Sequence, residues 1–138
     1  MDDAELVRQL ESCSLPFEQW THRAHVRVAY TLLQAQAFPV ALARFRGAVK
    51  AYNAKNNVPE SPTSGYNETT THALLHLILA TMRAYPGEYP SADAFCDTHP
   101  QLMTRHCLRL FYSPGQRIHP LAKTQFVEPD LAPLPRIM

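Results

Sequence analysis

The sequence predicts an all-α fold: a single domain built as a bundle of four to five helices, with an irregular, proline-rich C-terminal tail over about residues 114–138 that packs across it. Three observations carry that expectation. Apolar residues recur at helical spacing through most of the chain, no alternating pattern of the kind that pairs strands is present, and 12 prolines cut the sequence into helix-sized intervals. A chain of 138 residues also suits one domain and can bury a core without disulfide staples.

The first predicted helix covers residues 17 to about 37, where Val26, Ala29, Leu32 and Leu33 share a stripe with Glu18, His22 and His25. Pro39 opens the second at its first turn, where a missing N–H does no harm. Leu42, Phe45, Val49 and Tyr52 form its apolar stripe, which fades near Lys55. Residues 56–65 are rich in turn formers and read as a loop. Thr63 or Ser64 then offers an N-cap for a third helix running to about Tyr85. Leu74, Leu75, Leu77, Ile78, Leu79 and Met82 make that helix apolar over most of its circumference, which predicts a central, buried position. Ser91 caps a short helix over 92–98, and a further helix is expected over about 101–112, presenting Leu102, Leu108, Leu110 and Phe111.

Charge and cysteine usage narrow the class of protein. Thirteen Lys and Arg against 12 Asp and Glu leave a net charge of +1 with no basic stripe, so nucleic acid is not an expected partner. Cys13, Cys96 and Cys107 are odd in number and far apart, which suggests reduced thiols rather than a disulfide framework or a cysteine zinc site. Cys107 follows His106, but neighbours on a helix do not face each other. The opening Met-Asp-Asp-Ala-Glu has no basic region followed by an apolar core, and the apolar run 73–82 is too short to span a bilayer. A soluble, cytoplasmic protein without a membrane partner is expected, with an apolar content that permits a homodimer.

Two polar clusters interrupt the apolar stripes. Glu18, His22 and His25 fall at offsets of four and three residues, and Glu68 and His72 at four, so each set lies on one helix face. Buried carboxylates and imidazoles are costly unless they pair or hold a metal. In an up-down-up arrangement the first and third helices run parallel with their N-terminal ends level, so that His22 and His25 would face Glu68 and His72. Two histidines and a carboxylate suit Fe(II) or zinc with open positions for water or substrate. The expected metal ligands are therefore His22, His25, Glu68 and His72, with His72 also a proton shuttle and Glu18 an orienting partner. Without a metal the same groups can do general acid/base work. First-turn glutamates are also favoured by the helix dipole alone. His76, His99, His106 and His119 lie outside the pattern.

The segments Trp20-Thr21-His22-Arg23-Ala24-His25-Val26-Arg27, Ser64-Gly65-Tyr66-Asn67-Glu68-Thr69, Tyr112-Ser113 and Val127-Glu128-Pro129-Asp130-Leu131 occur in an order that resembles a group of small bacterial helical proteins, largely without assigned activity. That group shares His-x-x-His, Gly-Tyr-His-Glu-Thr and C-terminal Pro-Asp-Leu segments. The resemblance spans nearly the whole chain and implies a shared fold, with no particular reaction. Asn67 stands where that pattern has a histidine, which weighs against a metal more than against a polar pocket.

The reading these residues favour is a small-molecule enzyme with a divalent metal, Fe or Zn, inside the bundle. His72, Glu18 and Tyr66 are its expected catalytic groups. Asn67 and Arg117 are expected to bind substrate, Arg117 because a guanidinium grips carboxylates bidentately. One alternative is a metal-free acid/base isomerase or lyase in the same pocket. The other is a non-enzymatic sensor that binds a ligand or metal.

Overall fold

The structure, a computed structural model, describes residues 1–137. Among them are six α-helices, and the only strand-like pairing is one isolated bridge between Ser61 and Ser64. The all-α expectation holds, but several element boundaries move.

Helix α1 (Asp3–Glu11) forms from the acidic N-terminal stretch, where no element is expected from the sequence. Asp2 caps it by accepting from the Glu5 N–H at 2.8 Å, and Leu6, Val7 and Leu10 are buried. Helix α2 (His22–Ala35) starts five residues later than the predicted residue 17. Pro16 leads instead into a single 3₁₀ turn, Phe17–Gln19. Thr21 then adopts an extended backbone, and its Oγ1 accepts from the Ala24 N–H at 3.2 Å as the N-cap. Helix α3 (Phe38–Lys55) follows the expected course and buries Leu42, Phe45, Val49 and Tyr52.

Helix α4 (Glu68–Ala84) begins after Asn67, not at Thr63 or Ser64. It is as buried as its composition predicts, including Leu75 and Ile78 at 0% exposure. Helix α5 (Ala92–Thr98) is capped by Ser91 as expected. The helix expected over 101–112 does not form: that stretch holds two 3₁₀ turns, Pro100–Leu102 and Cys107–Leu110. Its apolar residues do not share a face, since Leu102 and Leu108 are buried while Leu110 is 75% exposed. A four-residue helix, α6 (Pro114–Arg117), opens the otherwise irregular tail.

Helix α2 is the hub, packing on α1, α3, α4 and α5, while α3 also contacts α1 and α4. The tail closes over α4. Glu68 N–H and Thr69 N–H, two of the four donors an α-helix leaves unpaired at its start, bond to the carbonyls of Lys123 and Ala122 at 3.1 and 3.0 Å. Thr69 Oγ1 donates to Gln125 O at 2.9 Å and accepts from the Val127 N–H at 3.1 Å. Farther along, His76 Nε2 donates to Pro135 O at 2.6 Å. Among the described residues no helix is long and apolar enough to cross a membrane.

Candidate functional site

Helices α2 and α4 bring their N-terminal turns together, as the up-down-up reading requires, but with a different face of α4 turned inward. A cavity of about 290 Å³ is lined by His22 and His25 from α2, by Thr70 and Leu74 from α4, and by Arg105, Cys107 and Leu108. Glu68 and His72 are absent from that lining. Side chains advance about 100° per residue around a helix, so Thr70 and Leu74 share a face nearly opposite the one holding Glu68 and His72.

The outward-turned pair is fully engaged elsewhere. Glu68, 8% exposed, receives Arg46 Nε on Oε1 and Arg46 Nη2 on Oε2, both at 2.7 Å, and the Tyr66 hydroxyl on Oε1 at 2.7 Å. Burial pushes this carboxyl up, but the Arg46 and Tyr66 bonds outweigh it and hold Glu68 below the ordinary glutamate value. Tyr66 is correspondingly raised, by burial first and then by its bond to Glu68, to which its hydroxyl donates. His72 stacks on Phe126 at 4.0 Å and meets Phe38 edge-on at 5.2 Å. Its pKa is lowered, chiefly by burial, with Glu68 pulling the other way.

The expected four-ligand set is therefore not assembled. His22 and His25 lie on one side of α4, Glu68 and His72 on the other, and Arg46 and Tyr66 occupy the carboxylate. Among the described residues no three His, Cys, Asp or Glu side chains converge to hold a metal. Glu18 is exposed on the 3₁₀ turn before α2, so its helical register with His22 does not exist. Asn67 serves first as the N-cap of α4, its Oδ1 accepting from the Thr70 N–H at 2.8 Å.

His25 is the best-defined polar group in the cleft. Its Nδ1 lies 2.6 Å from the carbonyl oxygen of Thr21, and a carbonyl only accepts, so Nδ1 carries the proton. Nε2 has no protein partner among the described residues. The ring stacks on the Trp20 indole with centroids 3.7 Å apart and tilts against Phe45 at 6.5 Å. Burial pushes its pKa down to about 4; the bond to Thr21 opposes this and neighbouring His22 adds to it. His25 is therefore neutral near pH 7. His22 is held in the opposite way: its Nε2–H donates to Leu102 O at 2.7 Å, leaving Nδ1 without a protein partner.

Two further cavities adjoin this one. The second, about 350 Å³, is bordered by Phe17, Trp20, His25, Phe45, Tyr66, Asn67, Thr70 and Leu74. The third, about 460 Å³, lies among Thr63, Ser64, Gly65, Asn67, Thr70, Pro114 and Arg117. Thr70 borders all three, and its hydroxyl has no protein partner among the described residues. Shared lining residues set the three side by side around Thr70, as an imidazole arm, an aromatic arm and an arginine arm. Of the residues expected at a site, His22, His25, Tyr66, Asn67 and Arg117 reach it. Thr70, Leu74, Trp20, Phe45 and Arg105 were not singled out from sequence, although the 70 and 74 spacing is itself a one-face pair. No protein-family model, curated protein or solved structure matches the chain.

Proposed function

We propose that the cleft around Thr70 binds a small molecule and that His25 acts on it as a neutral general base through Nε2. The observation that carries this reading is the single tautomer of His25. Its Nδ1–H is committed to the Thr21 carbonyl while its other nitrogen remains free in a cavity. A base must be unprotonated at working pH and within reach of its proton, and both conditions favour this ring. An isomerase or lyase that removes a proton from an activated C–H or O–H is the reaction class this supports, with the Thr70 hydroxyl close by to steer the substrate.

A second reading retains a divalent metal, favoured by the unpartnered His22 Nδ1 and His25 Nε2 one helical turn apart. These are the two donors left from the expected set, and a ligand or water would complete the coordination. Titration with Zn(II) or Fe(II) tests it. Thermal stabilisation lost in His22→Ala supports the metal; no stabilisation at any ratio contradicts it.

The base reading is tested with a small-molecule library screened by ligand-observed NMR. Binders are expected to be lost in Leu74→Trp, which fills the cleft. For any binder that is turned over, His25→Gln is expected to abolish turnover while binding persists. Binders indifferent to Leu74→Trp, or turnover undiminished in His25→Gln, would contradict it.

A further inference from the structure

Charge is distributed unevenly around the cleft. Arg8, Arg23, Arg27, Arg44 and Arg46 each hold a carboxylate in an ion pair, whereas among the described residues Arg105, Arg109 and Arg117 hold none. These three unpaired arginines and His22 all act on His106, whose pKa is lowered by desolvation first and then by the surrounding cations. Arg117 and Arg105 line two of the three cavities, and no Asp or Glu lines any of them. Among the described residues Arg117 Nε is buried without a hydrogen-bond partner, so a ligand in the cavity would be met by the outer nitrogens of the guanidinium. A concave surface that has unpaired guanidinium groups and the free Thr70 hydroxyl but lacks carboxylates is complementary to an anion, although the Ser64 hydroxyl donates to Pro59 O at 2.8 Å.

The start of α4 does not supply this complementarity. Its first N–H groups are taken by the carbonyls of Lys123 and Ala122, by Asn67 Oδ1 and by Asn67 O, so an anion in the cleft must be met by side chains. The opposite arm is apolar and aromatic, bordered by Phe17, Trp20, Phe45 and Leu74. Thr70 joins the two arms.

We infer that the ligand of this cleft is a small organic anion with an apolar body, its carboxylate or phosphate held by Arg117 beside Thr63, Ser64 and Thr70, and its body lying past Thr70 against Trp20 and Phe45. This deepens the base reading by naming the substrate class for the same cleft. An acidic group anchored at one end places the remainder of the molecule beside His25.

The test uses three probes of one shape: phenylacetate, phenyl phosphate and the neutral phenylacetamide. Each is titrated into the full chain and followed through the backbone amides of Gly65, Asn67 and Thr70. At least one of the two anions is expected to bind tenfold or more tightly than phenylacetamide, and which one does so identifies the acidic group. Arg117→Gln is expected to weaken that anion tenfold or more, the scale of losing a charged hydrogen-bond partner. Arg136→Gln, at an exposed arginine that lines none of the three cavities, should leave it unchanged. Equal binding of the amide, no binding of either anion, or an undiminished affinity in Arg117→Gln would overturn the inference. The two readings fail separately: undiminished affinity in Arg117→Gln overturns the anion site, whereas undiminished turnover in His25→Gln overturns the base. Conversely, a neutral library ligand lost in Leu74→Trp would leave the cleft standing while the anion fails.

Discussion

The Thr21 residue has two roles within one turn: its hydroxyl caps α2 and its carbonyl takes the Nδ1 proton of His25. The ring's tautomer is therefore set by the helix start itself. On the far side of α4, Glu68 shows how a buried carboxylate is made tolerable, with Arg46 and Tyr66 bonded to its two oxygens. Its pKa is held below the ordinary 4.5, so the unfolded chain takes up its proton first as pH falls. The stabilisation is thus present above about pH 4.5 and is lost as pH drops through the lower folded value. Arg46→Met should leave Glu68 buried without its cation and cost about 1–3 kcal/mol at pH 7, less than a fully enclosed pair because Arg46 is partly exposed. Urea unfolding at pH 7 and pH 3.5 checks both points: the variant's deficit should shrink at the lower pH.

At the scale of elements, α3 was legible from its apolar stripe and α5 from its cap, because each has an unambiguous start, Pro39 at the head of α3 and Ser91 before α5. Helix α4 was legible as central but not in its orientation. Leu74, Leu75, Leu77, Ile78 and Leu79 are all buried, so its composition carries no phase, and either the Glu68 face or the Thr70 face could have met α2. The start of α2 was misplaced because Glu18 continues the helical spacing, while Pro16 and the Thr21 cap end it five residues short. The missing helix over 101–112 has a similar cause, apolar content without a shared face. Asn67→Ala removes the cap of α4 and should cost about 1 kcal/mol by thermal or urea unfolding. Because Asn67 also borders two arms of the cleft, ligand affinity should be followed in the same variant.

Across the whole molecule, the tail is a structural part of the site, a role that its proline content alone did not reveal. It satisfies the first donors of α4, and Lys123 joins it to the loop before α4: its Nζ donates to Ser61 O, Ser64 O and Glu60 Oε2 at 2.6–2.7 Å. That loop turns at Gly65, which has φ +85°, and the Glu60 carboxyl lies 2.4 Å from where a Cβ would stand. Loop, tail and α4 therefore frame the arginine arm together. Thr69→Val removes both side-chain bonds to the tail at a site 1% exposed, and should cost about 1–3 kcal/mol. Hydrogen exchange should show faster exchange at the Glu68 and Thr69 amides in that variant, with α1 and α3 little changed. Uniform acceleration across the chain would point to global weakening instead.

The neutral, singly tautomeric imidazole at the junction of the cleft can be measured directly. Two-bond ¹⁵N–¹H correlation spectra of the His25 ring, recorded from pH 8 to pH 3.5 and assigned with His25→Gln, report tautomer and protonation together. The expected result is an Nδ1–H ring that stays neutral through pH 6 and titrates near 4. An Nε2–H tautomer, or a midpoint near the ordinary 6.5, would contradict it.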